Sequence, residues 1–311
     1  MPDTFFTATP HWTWWIVFYF FIGGIAGSGF LLSSLLYFFG RPDDRPLARL
    51  GYLMSFVGVG VSGLLLTVDL DRPERFWHML IESNTGAPML KPWVPMSVGS
   101  WGLVLFGLFS FLAALVAASE EWPGLKPLQW APIRALRTLR ASAVIALPGS
   151  IFGMFIAGYT GVLLSVSNRP IWADSTLLGL LFLVSGTSTG AAALLLLATW
   201  RRAGHPASMD WLSRFDRQVL VLELLVLLLF VASLGSVAWV LSGLWGALLI
   251  LGVIGLGILS PLLLERKPSF HSPRRVVQSA CLVLLGGFLL RVVVLMSSHG
   301  IHALGSGVTG R

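Results

Sequence analysis

Long runs of apolar residues interrupt this chain at regular intervals, and they decide what it can fold into. Eight blocks, roughly 14–39, 48–70, 97–118, 141–166, 171–199, 218–236, 239–264 and 276–297, each hold about 20 mostly apolar residues. That is the length an α-helix needs to cross the ~30 Å hydrocarbon core of a bilayer. Inside lipid every backbone N–H and C=O must be bonded within the protein, so the blocks read as helices. Charged residues are only 11% of the 311 and apolar residues 55%, against about 25% charged in ordinary soluble domains. The expectation is an all-α integral membrane protein of about eight transmembrane helices, arranged as two four-helix bundles. It reads as one domain over 1–311, divisible into halves 1–166 and 167–311. The softest boundary lies between the sixth and seventh blocks, where Gly235 and Ser236 make the turn. No Lys or Arg precedes the first block, which is also longer than a secretory h-region, so it reads as a span and not a cleaved signal.

With eight crossings, both termini share one side, face A, together with the 71–96, 167–170 and 235–238 connections. Face B holds the 40–47, 119–140, 200–217 and 265–275 connections. Face A carries five basic residues: Arg72, Arg75, Lys91, Arg169 and Arg311. The four face-B loops, with Arg49 at the edge of the first, carry three, four, four and four. Basic residues mark the cytoplasmic side, so face B is expected in the cytoplasm, and both termini outside an inner membrane, in the periplasm. The net charge of +7 is then anchoring charge beside anionic lipid, not a nucleic-acid surface. Tryptophans gather at the two interfaces as an aromatic belt and favour face A.

Chemistry inside the spans is sparse. The single cysteine, Cys281, lies in the last block, which leaves no internal disulfide, thiolate cluster or c-type haem. All six histidines sit in loops or at helix ends, so a b-type haem lacks axial ligands within the bundle. Neither haem nor iron–sulfur cluster is expected on this protein. Two glycine-rich runs, 23–29 and 185–190, suit close helix packing and stand four spans apart, a weak sign of tandem four-helix units. Glu223 and Arg291 lie within spans. Intramembrane charges are costly and face the protein interior. They read either as a fixed pair or, with Ser185 and Thr189, as steps of a proton path toward face B.

Polar and aromatic groups converge instead at face A. His11, Trp15 and Tyr19 follow i, i+4, i+8 spacing at the start of the first span. The second span ends in the run from Thr67 through Asp69 to His78, and the fourth carries Tyr159 near its outer end. Singly each reads as an interface or capping residue. Together they supply an acid, a phenol, an imidazole and flat rings, a set suited to a quinone headgroup and its protons.

Four stretches carry a family resemblance: Phe21–Gly27, Asp69–Leu80, Pro95–Trp101 and Tyr159–Ser165. With them the sequence resembles the NrfD/polysulfide reductase membrane-subunit family over essentially its whole length, with Asp71 where that family commonly has Gly. The resemblance implies a haem-free anchor of eight helices. It would exchange electrons between menaquinone or ubiquinone and a ferredoxin-like iron–sulfur subunit, itself serving a molybdopterin catalytic subunit. It implies that Tyr159 hydrogen-bonds a quinone carbonyl and that Asp69 is the acid at the end of the second helix, while His11 lies near the first-helix polar contact. His78, Trp15 and Tyr19 complete the expected boundary, and loop 71–96 would dock the iron–sulfur partner. A structural anchor without quinone chemistry, or a transporter with spans broken at Pro148-Gly149 and Pro261, are the competing readings.

Overall fold

A computed structural model describes residues 12, 14–70, 72–167, 169, 171–265 and 272–298. Eight long helices account for most of them: α1 (Trp14–Phe39), α2 (Arg45–Val68), α3 (Pro95–Glu121), α4 (Leu139–Ser165), α5 (Leu178–Arg201), α6 (Pro206–Ser233), α7 (Leu244–Glu265) and α8 (Pro273–Ser297). Seven of these are each long and apolar enough to cross a membrane. The exception, α6, carries Asp216, Arg217 and Glu223 in its last 18 residues. It qualifies only together with the 3₁₀ run Gly235–Leu241, from which it is bent by 111°. The connection to α7 is therefore wider than the two-residue turn expected, and Gly235 and Gly243 make its corners at φ +53° and +77°. Glycine takes up such angles without the steric cost of a Cβ.

Two other boundaries differ from the sequence reading. The fifth block starts too early, because 171–177 is a loop, anchored by Ile171 and Trp172, which are 1% and 0% exposed. The sixth starts too late: α6 begins at Pro206, capped by the His205 side chain, which accepts from the Ala207 N–H. Pro148 sits inside an uninterrupted α4. The turn upstream of Pro261 widens into a π-helix over Leu248–Leu259, yet α7 continues to Glu265.

Helices α1–α4 pack in one ring and α5–α8 in another, with α1 and α4 against α5 joining them. The joint is built from absent side chains. A methyl group on Gly161 of α4 would fall on the Leu178 carbonyl of α5, and Gly24 of α1 lies against Gly186. Ser28 donates to Gly186 O across the joint at 2.5 Å. Helices that meet backbone to backbone gain dispersion contacts that lipid tails cannot supply. At face B the buried Asp44 carboxylate fastens the halves, accepting from Arg41 N (2.7 Å), His205 N (3.1 Å) and Ser208 Oγ (2.6 Å). Arg49 pairs there with Glu120 and Glu121 at 3.4 and 3.2 Å.

Candidate functional site

Above α2 and α3, the face-A loop is a 3₁₀ run, Pro73–Met79, and a small turn closed by one bridge between Ile81 and Pro88. Ser97 and Trp101 of α3 pin it down, donating to Met89 O at 2.6 and 3.2 Å. Beneath this loop, α2 and α3 splay into a groove of ≈ 560 Å³ that is open at the side. Gly60, Gly63 and Gly107 make the space, since nothing lies within 4 Å of where a Cβ on any of them would stand. Phe76, Met79 and Leu80 roof it, and the hydroxyls of Thr67 and Ser100 are its polar wall groups. Its volume falls within the ~300–1,000 Å³ usual for a ligand site.

Tyr159 stands on the other side of α3. Its ring covers Gly99, stacks on Phe155 at 5.2 Å, and its hydroxyl donates to Pro95 O at 2.5 Å. Gly99 is small because that ring leaves no room for a side chain. Tyr19 on α1 is 3% exposed and within electrostatic reach of Tyr159. One turn below Tyr19, Gly23 opens onto Ser62 of α2, whose Oγ is buried with no hydrogen-bond partner. The face-A end of the first ring thus holds two phenols and an orphaned hydroxyl beside a lateral groove.

The remaining expected residues stand around this centre. Asp69 caps α2 with its backbone N–H on Leu65 O (3.1 Å), is half-buried, and has a further interaction of its own. His78 stacks on Trp77 at 3.7 Å. Neither lines the groove, but Leu70 and Met79 beside them do. Trp15 is 47% exposed and turns outward. His11 lies outside the described residues. Ser62 and the three groove glycines are absent from the set that the sequence pattern brings forward. Their signal in the sequence is a glycine every second to third residue along this part of α2, which leaves space beside the helix.

Over the second ring, Trp172 stacks on Trp12 at 5.2 Å and donates from its indole N–H to Val294 O at 2.8 Å. Arg169 lies over Trp172 and reaches Ser298 O at 3.4 Å. Burial holds its guanidinium below the ordinary arginine pKa. Deeper, Arg291 is fully buried. Its Nη1 donates to Ser185 Oγ (2.6 Å) and Gly287 O (2.7 Å). Among the described residues no ion pair joins Arg291 to Glu223; Ser185 stands between them. Thr189 gives its hydroxyl to Ser185 O and Gly186 O on its own helix.

Residues 4–302 match the family described as polysulphide reductase, NrfD. The chain belongs to the NrfD family. It is 28% identical to Protein NrfD of Escherichia coli over 93% of this sequence and 95% of that protein. It is 26% identical to the C polypeptide of polysulfide reductase from Wolinella succinogenes, covering 94% and 95%. Against the C component of selenate reductase from Mesobacillus selenatarsenatis it is 24% identical, over 61% of this sequence and 48% of that one. This NrfD-family protein is accordingly a multi-pass membrane protein, and no group of three or more metal-ligating side chains occurs among its described residues.

Proposed function

We propose that this protein is the quinone- or quinol-reactive membrane subunit of an oxidoreductase complex, working at face A, the outer side. The observation that carries the reading is the side-opening groove between α2 and α3, one helix away from Tyr159. A quinone is dissolved in the hydrocarbon by its apolar tail and has to leave it sideways. The groove supplies that opening, at the depth where the Tyr19 and Tyr159 phenols and the Ser62 hydroxyl collect. Aromatic walls suit a flat ring, and hydroxyls suit its carbonyls. When bound, a quinone accepts or releases two electrons and two protons. Asp69 is the acid nearest the aqueous edge of face A on α2 and would take or give a proton there.

Electrons would come from, or go to, an iron–sulfur subunit seated on the 72–94 loop, where Phe76, Trp77 and Trp93 are 50%, 41% and 78% exposed. The names of the polysulfide and selenate reductase relatives support membership of such a complex. Its terminal chemistry would lie on another subunit, of molybdopterin type. Menaquinone and ubiquinone both fit a site of this size.

The test fills the groove. A Cβ at Gly63 or Gly107 would meet nothing within 4 Å, so Gly63→Phe and Gly107→Leu extend their side chains into the groove. In the assembled complex each should raise the KM for quinone at least tenfold, with unchanged reduction of the partner by an artificial donor. Tyr159→Phe and Asp69→Asn should lower quinone turnover as well. Normal quinone kinetics in all four variants would sink the assignment. A purely structural anchor, the reading that the Tyr159–Pro95 bond favours, predicts that outcome.

A further inference from the structure

Where the two rings meet at face B, a second groove opens toward the lipid. There α1 ends at Phe39 and α6 begins at Pro206, and between them lies a space of ≈ 420 Å³. Leu35, Leu36 and Phe39 form one wall and Trp211 the other, with Arg41 and Ser208 at the end nearer water. Beneath it, Leu36 packs in one apolar core with Leu212 of α6 and Val276 of α8. Phe39 is 84% exposed and Trp211 40%. Leu35 stands one turn inward from Phe39 on the same face of α1, so the apolar wall runs on into the membrane. Tryptophan beside a helix end sits at headgroup depth.

At the polar end two donors stand side by side. Arg41 Nη1 is 3.1 Å from His205 Nδ1 and 3.2 Å from His205 Nε2. Nδ1 already accepts from the Ala207 N–H at 3.1 Å, so the neutral ring carries its proton on Nε2. The guanidinium can share Nδ1 with that N–H, but at Nε2 it meets a second donor. Among the described residues no carboxylate lies within 4 Å of the Arg41 guanidinium. Asp44, the buried acid of this corner, is occupied by Arg41 N, His205 N and Ser208 Oγ. A cation and a neutral donor side by side are joined by one anionic oxygen, and the guanidinium fork fits a phosphate in particular. The first N–H groups of α6 already bond to His205, so the site rests on side chains and not on the helix end.

We propose that this groove holds one phospholipid with an anionic headgroup, taken from the face-B leaflet. Its phosphate sits between Arg41 and His205, and its acyl chains follow Phe39 and Leu35 on one side and Trp211 on the other. Charge complementarity decides the occupant. Face B carries fifteen of the 21 basic residues, and basic pockets between membrane helices draw anionic headgroups. A hollow of ≈ 350 Å³ on the other side of α6 has Asp210 in its lining as well as Arg202, so it lacks that one-sided charge. The lipid touches α1 of the first ring and α6 of the second, and so ties the rings together at the corner that Asp44 fastens. The quinone groove opens at the opposite face and takes no part.

The test is native mass spectrometry of the delipidated full-length protein, with any co-purifying subunits, titrated with defined lipids. One dioleoyl phosphatidylglycerol should bind at least tenfold more tightly than dioleoyl phosphatidylcholine, and should raise the melting temperature in detergent. Arg41→Ala should abolish that preference. Its backbone N–H still holds Asp44, so the corner keeps its fold. Arg140→Ala, which removes an exposed cation elsewhere on face B, should bind like wild type. Trp211→Ala should weaken binding of both lipids and leave the preference intact. Equal affinity of wild type and Arg41→Ala for phosphatidylglycerol, or of wild type for the two lipids, overturns the proposal. A melting shift from inorganic phosphate as large as that from phosphatidylglycerol overturns it too, since the site would then take the free anion. The readout needs no quinone turnover, so it fails independently of the quinone site.

Discussion

Replacing Tyr159 by Phe deletes one hydrogen bond, from the ring hydroxyl to Pro95 O, and leaves the ring on Gly99. A neutral hydrogen bond of this kind contributes about 1 kcal/mol net, so thermal unfolding in detergent should fall by only a few degrees. Gly99→Ala is the harsher change, because its methyl would collide with that ring. Overpacking of a filled contact costs ~1–3 kcal/mol, and the loss should show as a larger drop in the same melting assay. Equal stability of Gly99→Ala and wild type would mean that the ring does not cover Gly99. At this scale the sequence is half informative. It puts Tyr159, Tyr19 and Asp69 at one end of the bundle because an even number of crossings separates them. It does not show that the Tyr159 hydroxyl is already engaged by the first turn of α3. That Asp216 of α6 and Glu265 of α7 are buried is hidden for a related reason. Both sit beside arginines in stretches that look like charged loops, and only the seven-residue step from Glu223 to Asp216 hints that α6 carries acid inward.

Among the helices, glycine plays two opposite parts. At Gly27 against Gly153, and at Gly257 against Gly286, backbones touch and any Cβ would strike the neighbouring helix. At Gly60, Gly63 and Gly107 nothing is near. Gly27→Val and Gly257→Val should therefore prevent a stable fold or lower its stability by several kcal/mol, whereas Gly60→Ala should be neutral. Comparing resistance to SDS unfolding across these variants checks both halves of the claim, and a robust Gly27→Val would overturn it. Helix positions themselves are plain from the apolar blocks. Their ends are not, because a span can end inside protein. The 171–177 loop resembles a helix start because its first two residues, Ile171 and Trp172, are apolar and buried. The first three turns of α6 read as loop since four ionisable residues, Asp210, Arg214, Asp216 and Arg217, break the hydropathy there.

The whole molecule is asymmetric across the membrane in charge and in shape. Face B has fifteen of the basic residues and face A five. A Lys or Arg held on the translocated side must be carried through the bilayer against the same bias that orients insertion, so a difference repeated in all four face-B loops leaves one favoured orientation. On the proposed reading that orientation puts the groove between α2 and α3 and the 72–94 loop outside. The prediction follows from that geometry. Alkaline phosphatase fused after Ser298 or within 82–87 should be active, and green fluorescent protein there dark. Fused within 123–130 or after Ser208, each reporter should give the opposite result. The reverse pattern would move the groove to the cytoplasm, and with it the partner subunit.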